Sequence, residues 1–105
     1  MPAGVQSKQE VVKPLRRHRA RIKALGVRRI GLFGSVVRGT AGPRSDVDIL
    51  VEFEPRQKTF DNFLELALLL ERILQRRVEL VTAESLSPFI GPHILEEVEY
   101  VSLAA

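Results

Sequence analysis

Asp46 and Asp48 stand two residues apart in Ser45-Asp46-Val47-Asp48-Ile49-Leu50-Val51. In an extended strand, side chains two apart share a face, so both carboxylates project together. Leu50 and Glu52 follow on that side, and Val47, Ile49, Val51 and Phe53 form the opposite, core-facing row. Two carboxylates held a few Å apart repel each other unless cations lie between them. Hard oxygen donors of this kind suit Mg2+ or Mn2+ and not zinc. Taken alone, Asp-x-Asp is more often a solvated strand end with two surface acids, so its neighbours decide the reading.

Upstream, the apolar run Arg28–Phe33 stops abruptly at Gly34-Ser35. A glycine lets the backbone approach a bulky ligand, and a serine hydroxyl beside free N–H groups can hold phosphate oxygens. The plainer alternative is a strand-to-helix turn with Ser35 as N-cap. Arg38 follows one helical turn later and either neutralises a phosphate or acid at that edge or is a solvated helix residue. Residues 40–45 (TAGPRS) form a turn-rich loop that returns the chain to the Asp-x-Asp strand.

The elements that must position these groups are legible as a pattern. Val11, Leu15, His18, Ile22 and Leu25 recur at helical spacing, which predicts a helix from Lys8 to Leu25 stopped by Gly26. Pro14 falls in its first turns and offers a second starting point. Strands are expected at Arg28–Phe33, Val47–Phe53 and Arg77–Thr82. Between the last two lies a helix from Thr59, its N-cap, to Gln75, with Phe63, Leu66, Ala67, Leu70, Ile73 and Leu74 as its apolar stripe. Leu68 and Leu69 widen that stripe toward either a neighbouring helix or an interface. Ser87 caps a further helix opening at Pro88 and running to Val98, followed by an extended tail, Glu99–Leu103. The order implies an α/β (α+β) domain with a small sheet of three or four strands flanked by helices.

With 105 residues the chain suffices for one domain, expected over residues 8–105 behind a fraying stretch at 1–7. It contains no Cys, which excludes disulfides, thiolate metal sites and a cysteine nucleophile and fits a reducing cytoplasm. His18 and His93 have no metal-ligand spacing, and His18 lies on the packed stripe of the first helix. No stretch approaches the roughly 18 apolar residues of a membrane span. Charge is divided unevenly: residues 1–30 hold nine Lys and Arg against one acid, whereas residues 31–105 hold seven against twelve. The basic first helix (Lys13, Arg16, Arg17, Arg19, Arg21, Lys23) is either a solvated face or a contact for nucleic acid or nucleotide phosphates. The acidic remainder suits cations or a basic partner.

Together, residues 34–51 (GSVVRGTAGPRSDVDILV) resemble the signature of the DNA polymerase β-like nucleotidyltransferase superfamily: Gly-Ser, ten residues, then Asp-x-Asp. The internal Arg-Gly, the Ser before the first Asp, RVELVTAESLSPFI and HILEEVEYV are similar to the minimal nucleotidyltransferases, the antitoxins of HEPN/MNT toxin–antitoxin pairs. The likeness covers residues 9–102 and implies a polymerase β-like fold. It implies that Gly34 and Ser35, with Arg38 and Ser45 beside them, bind ATP. Asp46, Asp48 and a third carboxylate, Glu79 where the family usually has Asp, would ligate two Mg2+ ions and perform catalysis.

A chain this small has little left with which to select an acceptor. The resemblance implies a partner, a small all-helical HEPN-domain RNase toxin in a hetero-oligomer, onto whose tyrosine hydroxyl AMP is transferred. A self-dimer is a second arrangement. The alternatives in function are a non-catalytic antitoxin acting by occlusion, and nucleotidyl transfer to RNA.

Overall fold

The computed structural model describes residues 7–42 and 44–104. At its centre Val47–Phe53 forms strand β2, as the alternation of that segment demands. Strand β1 (Val27–Phe33) runs antiparallel to it, strand β3 (Val78–Thr82) runs parallel to it, and strand β4 (Glu99–Val101) pairs antiparallel with β1. The sheet is therefore mixed, in the order β3-β2-β1-β4. Parallel neighbours need a long crossover, and helix α4 (Phe60–Leu74) supplies it between β2 and β3.

Helices α1 (Lys8–Arg17), α2 (Arg19–Ala24) and α4 cover one face of the sheet. Val11 and Leu15 of α1, Ile22 of α2, Ile30 and Leu32 of β1, Ile49 and Val51 of β2, and Leu66 and Leu70 of α4 are withdrawn from water in one cluster. Thr59 caps α4 by accepting the Asn62 N–H, and Gln75 ends it in the left-handed conformation at φ 54°. On the α4 stripe Leu69 joins the core, while Phe60, Leu64 and Leu68, spaced by four, stay exposed.

The first helix starts at Lys8 as expected and not at Pro14, because Ser7 and Glu10 form a reciprocal capping box: Ser7 Oγ accepts the Glu10 N–H and Glu10 Oε1 accepts the Ser7 N–H. Ser7 is thus part of the fold, and residues 1–6 lie outside the described residues. The expected single helix to Leu25 is broken at His18 into α1 and α2. The break falls where His18 leaves helical geometry, at φ −103° and ψ 20°, four residues beyond Pro14.

The last helix, α5 (Gly91–Glu97), is shorter than expected. Ser87 does cap, its hydroxyl accepting the Ile90 N–H, but it closes a turn before α5 instead of the helix itself. No helix among the described residues is long and apolar enough to cross a membrane.

Candidate active site

The second face of the sheet carries Asp48, Leu50 and Glu52, and the pairing places its chemistry. Asp48 lies opposite Phe33 at the end of β1 and opposite Glu79 on β3. Since β2 and β3 are parallel and in register, the Asp48 and Glu79 side chains emerge on one side, near enough to share a hydrogen bond. Asp46 immediately precedes β2, anchored by the Val47 N–H donating to the Arg77 carbonyl at 2.9 Å. The three expected carboxylates thus meet at one edge.

Their proximity has an electrostatic signature. The Asp48 carboxyl is pushed up from 3.8 to about 6, chiefly by burial, then by its hydrogen bond and charge interaction with Glu79 and by the charge of Asp46; Arg38 pulls the other way. Two further carboxylates, Glu79 and Asp46, raise Asp48, and Arg38 opposes them. All-oxygen donors with excess negative charge fit a divalent cation of the Mg2+ type. Among the described residues, no three His, Cys, Asp or Glu side chains are grouped closely enough to hold a metal ion.

Gly34 faces Asp48 across the gap between β1 and β2. Its backbone lies at φ 75°, ψ −149°, a region open to glycine and strained for other residues. A β-carbon placed there would collide with Asp48 Oδ2. Gly34 rather than Ser35 is the N-cap of the four-residue helix α3 (Ser35–Arg38), which removes the capping alternative for Ser35. Ser35 is half-buried at the first helical position, and no described residue bonds its hydroxyl.

Ser45 has a local task, since its Oγ accepts the Gly42 N–H at 3.0 Å. The Arg76 guanidinium donates to the carbonyls of Ser45 (2.6 Å) and Gly42 (2.7 Å), so this loop is tied to the start of β3. Of the four residues expected at the nucleotide, Gly34, Ser35 and Arg38 belong to one turn, and Ser45 braces the loop beside it.

Glu97, at the end of α5, was not singled out from the sequence. Its Oε2 accepts the Gly34 N–H at 3.1 Å and its Oε1 accepts Arg38 Nη1 at 2.6 Å. The segment HILEEVEYV contains it but offers no local cue to a contact 63 residues away. At the far end of the same face Arg29 donates to Glu52 (2.6 Å) and stacks 3.8 Å over the Tyr100 ring. The basic residues of α1 and α2 belong to the helices that cover the other face of the sheet.

Residues 15–101 match the family described as a nucleotidyltransferase domain. The chain is 45% identical over 94 residues to the protein adenylyltransferase MntA of Thermococcus cleftensis, covering 89% of this chain and 94% of that relative. A solved structure assigned as a minimal nucleotidyltransferase superposes with a TM-score of 0.68 at 35% identity, covering 84% of this chain and 93% of the other. A toxin–antitoxin crystal structure with AMP-PNP does so with a TM-score of 0.65 at 26% identity, covering 91% and 73%.

Proposed function

The chain belongs to the nucleotidyltransferase family, and from that premise we propose that it transfers AMP from ATP to a hydroxyl, a tyrosine hydroxyl, of a HEPN-domain RNase toxin, and so acts as the antitoxin. The observation that carries this reading is the acidic edge of Asp46, Asp48 and Glu79, facing a turn that only glycine can make. The similarity to an adenylyltransferase named MntA and to a toxin–antitoxin structure with AMP-PNP supports the choice of nucleotide and partner.

Asp46, Asp48 and Glu79 would hold two Mg2+ ions, which when bound supply charge stabilisation at the reacting phosphate. Ser35 and the outward side of Arg38 bind the triphosphate, and Gly34 keeps the turn close enough for them to reach it. The acceptor hydroxyl attacks the α-phosphorus in line, forming an O–P bond while the bond to the β-phosphate oxygen breaks and pyrophosphate leaves. Glu79, exposed beside Asp48, receives the hydroxyl proton. No protein nucleophile is required, which agrees with a chain without Cys.

The test is incubation with α-labelled ATP, Mg2+, the product of the adjacent gene as candidate toxin, and RNA in the same reaction. Label on the toxin, stable to RNase and lost when its tyrosine is changed to Phe, is the expected result. Label on RNA alone would replace the acceptor, and protection from the toxin by Asp46→Asn/Asp48→Asn without any label would replace transfer by occlusion.

A further inference from the structure

Gly34 and Arg38, two of the residues assigned above to nucleotide binding, converge on a single carboxylate, that of Glu97. The two partners in this ion pair are unequally placed: the Glu97 side chain is 21% exposed and that of Arg38 is 59% exposed. Glu97 therefore stands behind the guanidinium, on the protein side, and Arg38 keeps an open side toward solvent. A guanidinium is a fixed fork of five N–H donors, and Glu97 takes one of them through Nη1. The other oxygen of Glu97 accepts the N–H of buried Gly34, which makes that amide unavailable to a ligand. Arg38 is also near enough to Asp48 to act on its charge. The guanidinium thus lies within the influence of two carboxylates, one behind it and one at the acidic edge.

We infer that Glu97 is a positioning residue for nucleotide binding: it holds Arg38 back from Asp48 and fixes the Gly34 turn, so that the open side of the guanidinium faces the place where phosphate docks. This deepens the proposed function and rests on the assignment of Arg38 to the phosphates. The arrangement follows the logic of outer partners that orient a directly binding group. Without the Glu97 charge, Asp48, whose charge Arg38 already offsets, is left to attract the guanidinium, and an Arg38 paired there is lost to the nucleotide. Because half-exposed ion pairs contribute little to folding, the consequence falls on binding and not on the fold.

The experiment measures AMP-PNP binding in Mg2+ by calorimetry for the unchanged chain, Glu97→Gln, Glu97→Asp, Arg38→Ala and the double variant Glu97→Gln/Arg38→Ala, with steady-state transfer to the toxin alongside. Glu97→Gln should bind roughly tenfold more weakly. Its KM for ATP should rise by the same factor while kcat stays within about twofold, the sign of lost uniform binding. Glu97→Asp, which keeps the charge on a shorter arm, should fall between the two and serves as the test should Glu97→Gln not fold. In the Arg38→Ala background the Glu97→Gln change should have no further effect. Unchanged AMP-PNP affinity in folded Glu97→Gln, or an equal loss with Arg38 absent, overturns the inference while the proposed function stands. Failure of the unchanged chain to bind AMP-PNP overturns both.

Discussion

The two faces of one sheet are built for different work. On the helix-covered face, β2 sets Val47, Ile49 and Val51 against α1, α2 and α4, and these side chains are almost wholly out of water. On the other face the same strand sets Asp48 and Glu52 on either side of a buried Leu50. Within that second face the two acids are treated differently. Glu52 has a cation, Arg29, and a Tyr100 hydroxyl within reach. Asp48 has carboxylates for neighbours and is pushed up to about 6. One strand thus carries a stabilising row and an unbalanced acidic end, and alternation of side chains keeps them separate.

The comparison breaks first if the apolar face is cut. Leu66→Ala opens a cavity in a fully buried position and should cost about 2–5 kcal/mol by chemical denaturation. A cost below about 1 kcal/mol would mean that α4 does not seal the core. Asp46→Asn should do the reverse, lowering transfer by at least about a hundredfold while changing the unfolding free energy by no more than about 0.5 kcal/mol. Comparable losses of stability at both positions would erase the distinction between faces.

Gly34→Ala joins the two faces in one substitution, because the added carbon strains the backbone and strikes Asp48. It should cost about 1–3 kcal/mol and also abolish transfer, whereas a neutral outcome would refute the close approach of β1 and β2 at this point.

The smallest effect is the most diagnostic. Asp48 is harder to ionise when folded, so its contribution to stability is full below the ordinary carboxylate range and is lost as pH rises through about 6. Without divalent cations the protein should become less stable between roughly pH 4 and 7, and Asp48→Asn should flatten that slope and stabilise the chain at pH 8. Because Asp48 is only half-buried, solvent screening limits the gain to about 1 kcal/mol. Thermal melts in EDTA across this range check it, and a parallel slope in the variant would contradict it.

Local patterns made much of this legible. The β-branched alternation of Val47–Phe53 and the capped apolar stripe of α4 each specify their element without help from the rest of the chain. Asp46 and Asp48 were visible because two-residue spacing has one geometric meaning in a strand, whereas Glu79 was legible only through the family resemblance, since nothing in Arg77–Thr82 alone says that it runs parallel beside β2. What escaped depends on distant contact. Glu97 reads as one more surface acid in Glu96-Glu97-Val98-Glu99, and only the folded chain brings it to Gly34. The break at His18 falls inside an apolar periodicity that runs on unbroken from Val11 to Leu25, so the pattern carries no cue to it. The bracing of the Ser45 loop by the Gly42 N–H and the Arg76 side chain is likewise set by tertiary structure. Ser7-x-x-Glu10 was a readable capping signal among small polar residues.

The meeting of Asp48 with Glu79 is the point on which the acidic edge depends, and carboxyl-carbon NMR titration reads it directly. In EDTA, Asp48 should titrate near 6 and fall only part of the way toward the ordinary range in Glu79→Gln, which leaves the strand pairing and the burial of Asp48 in place. An Asp48 that titrates as an ordinary surface carboxylate in the unchanged chain, or one indifferent to Glu79→Gln, would show that the two strands do not bring these groups together.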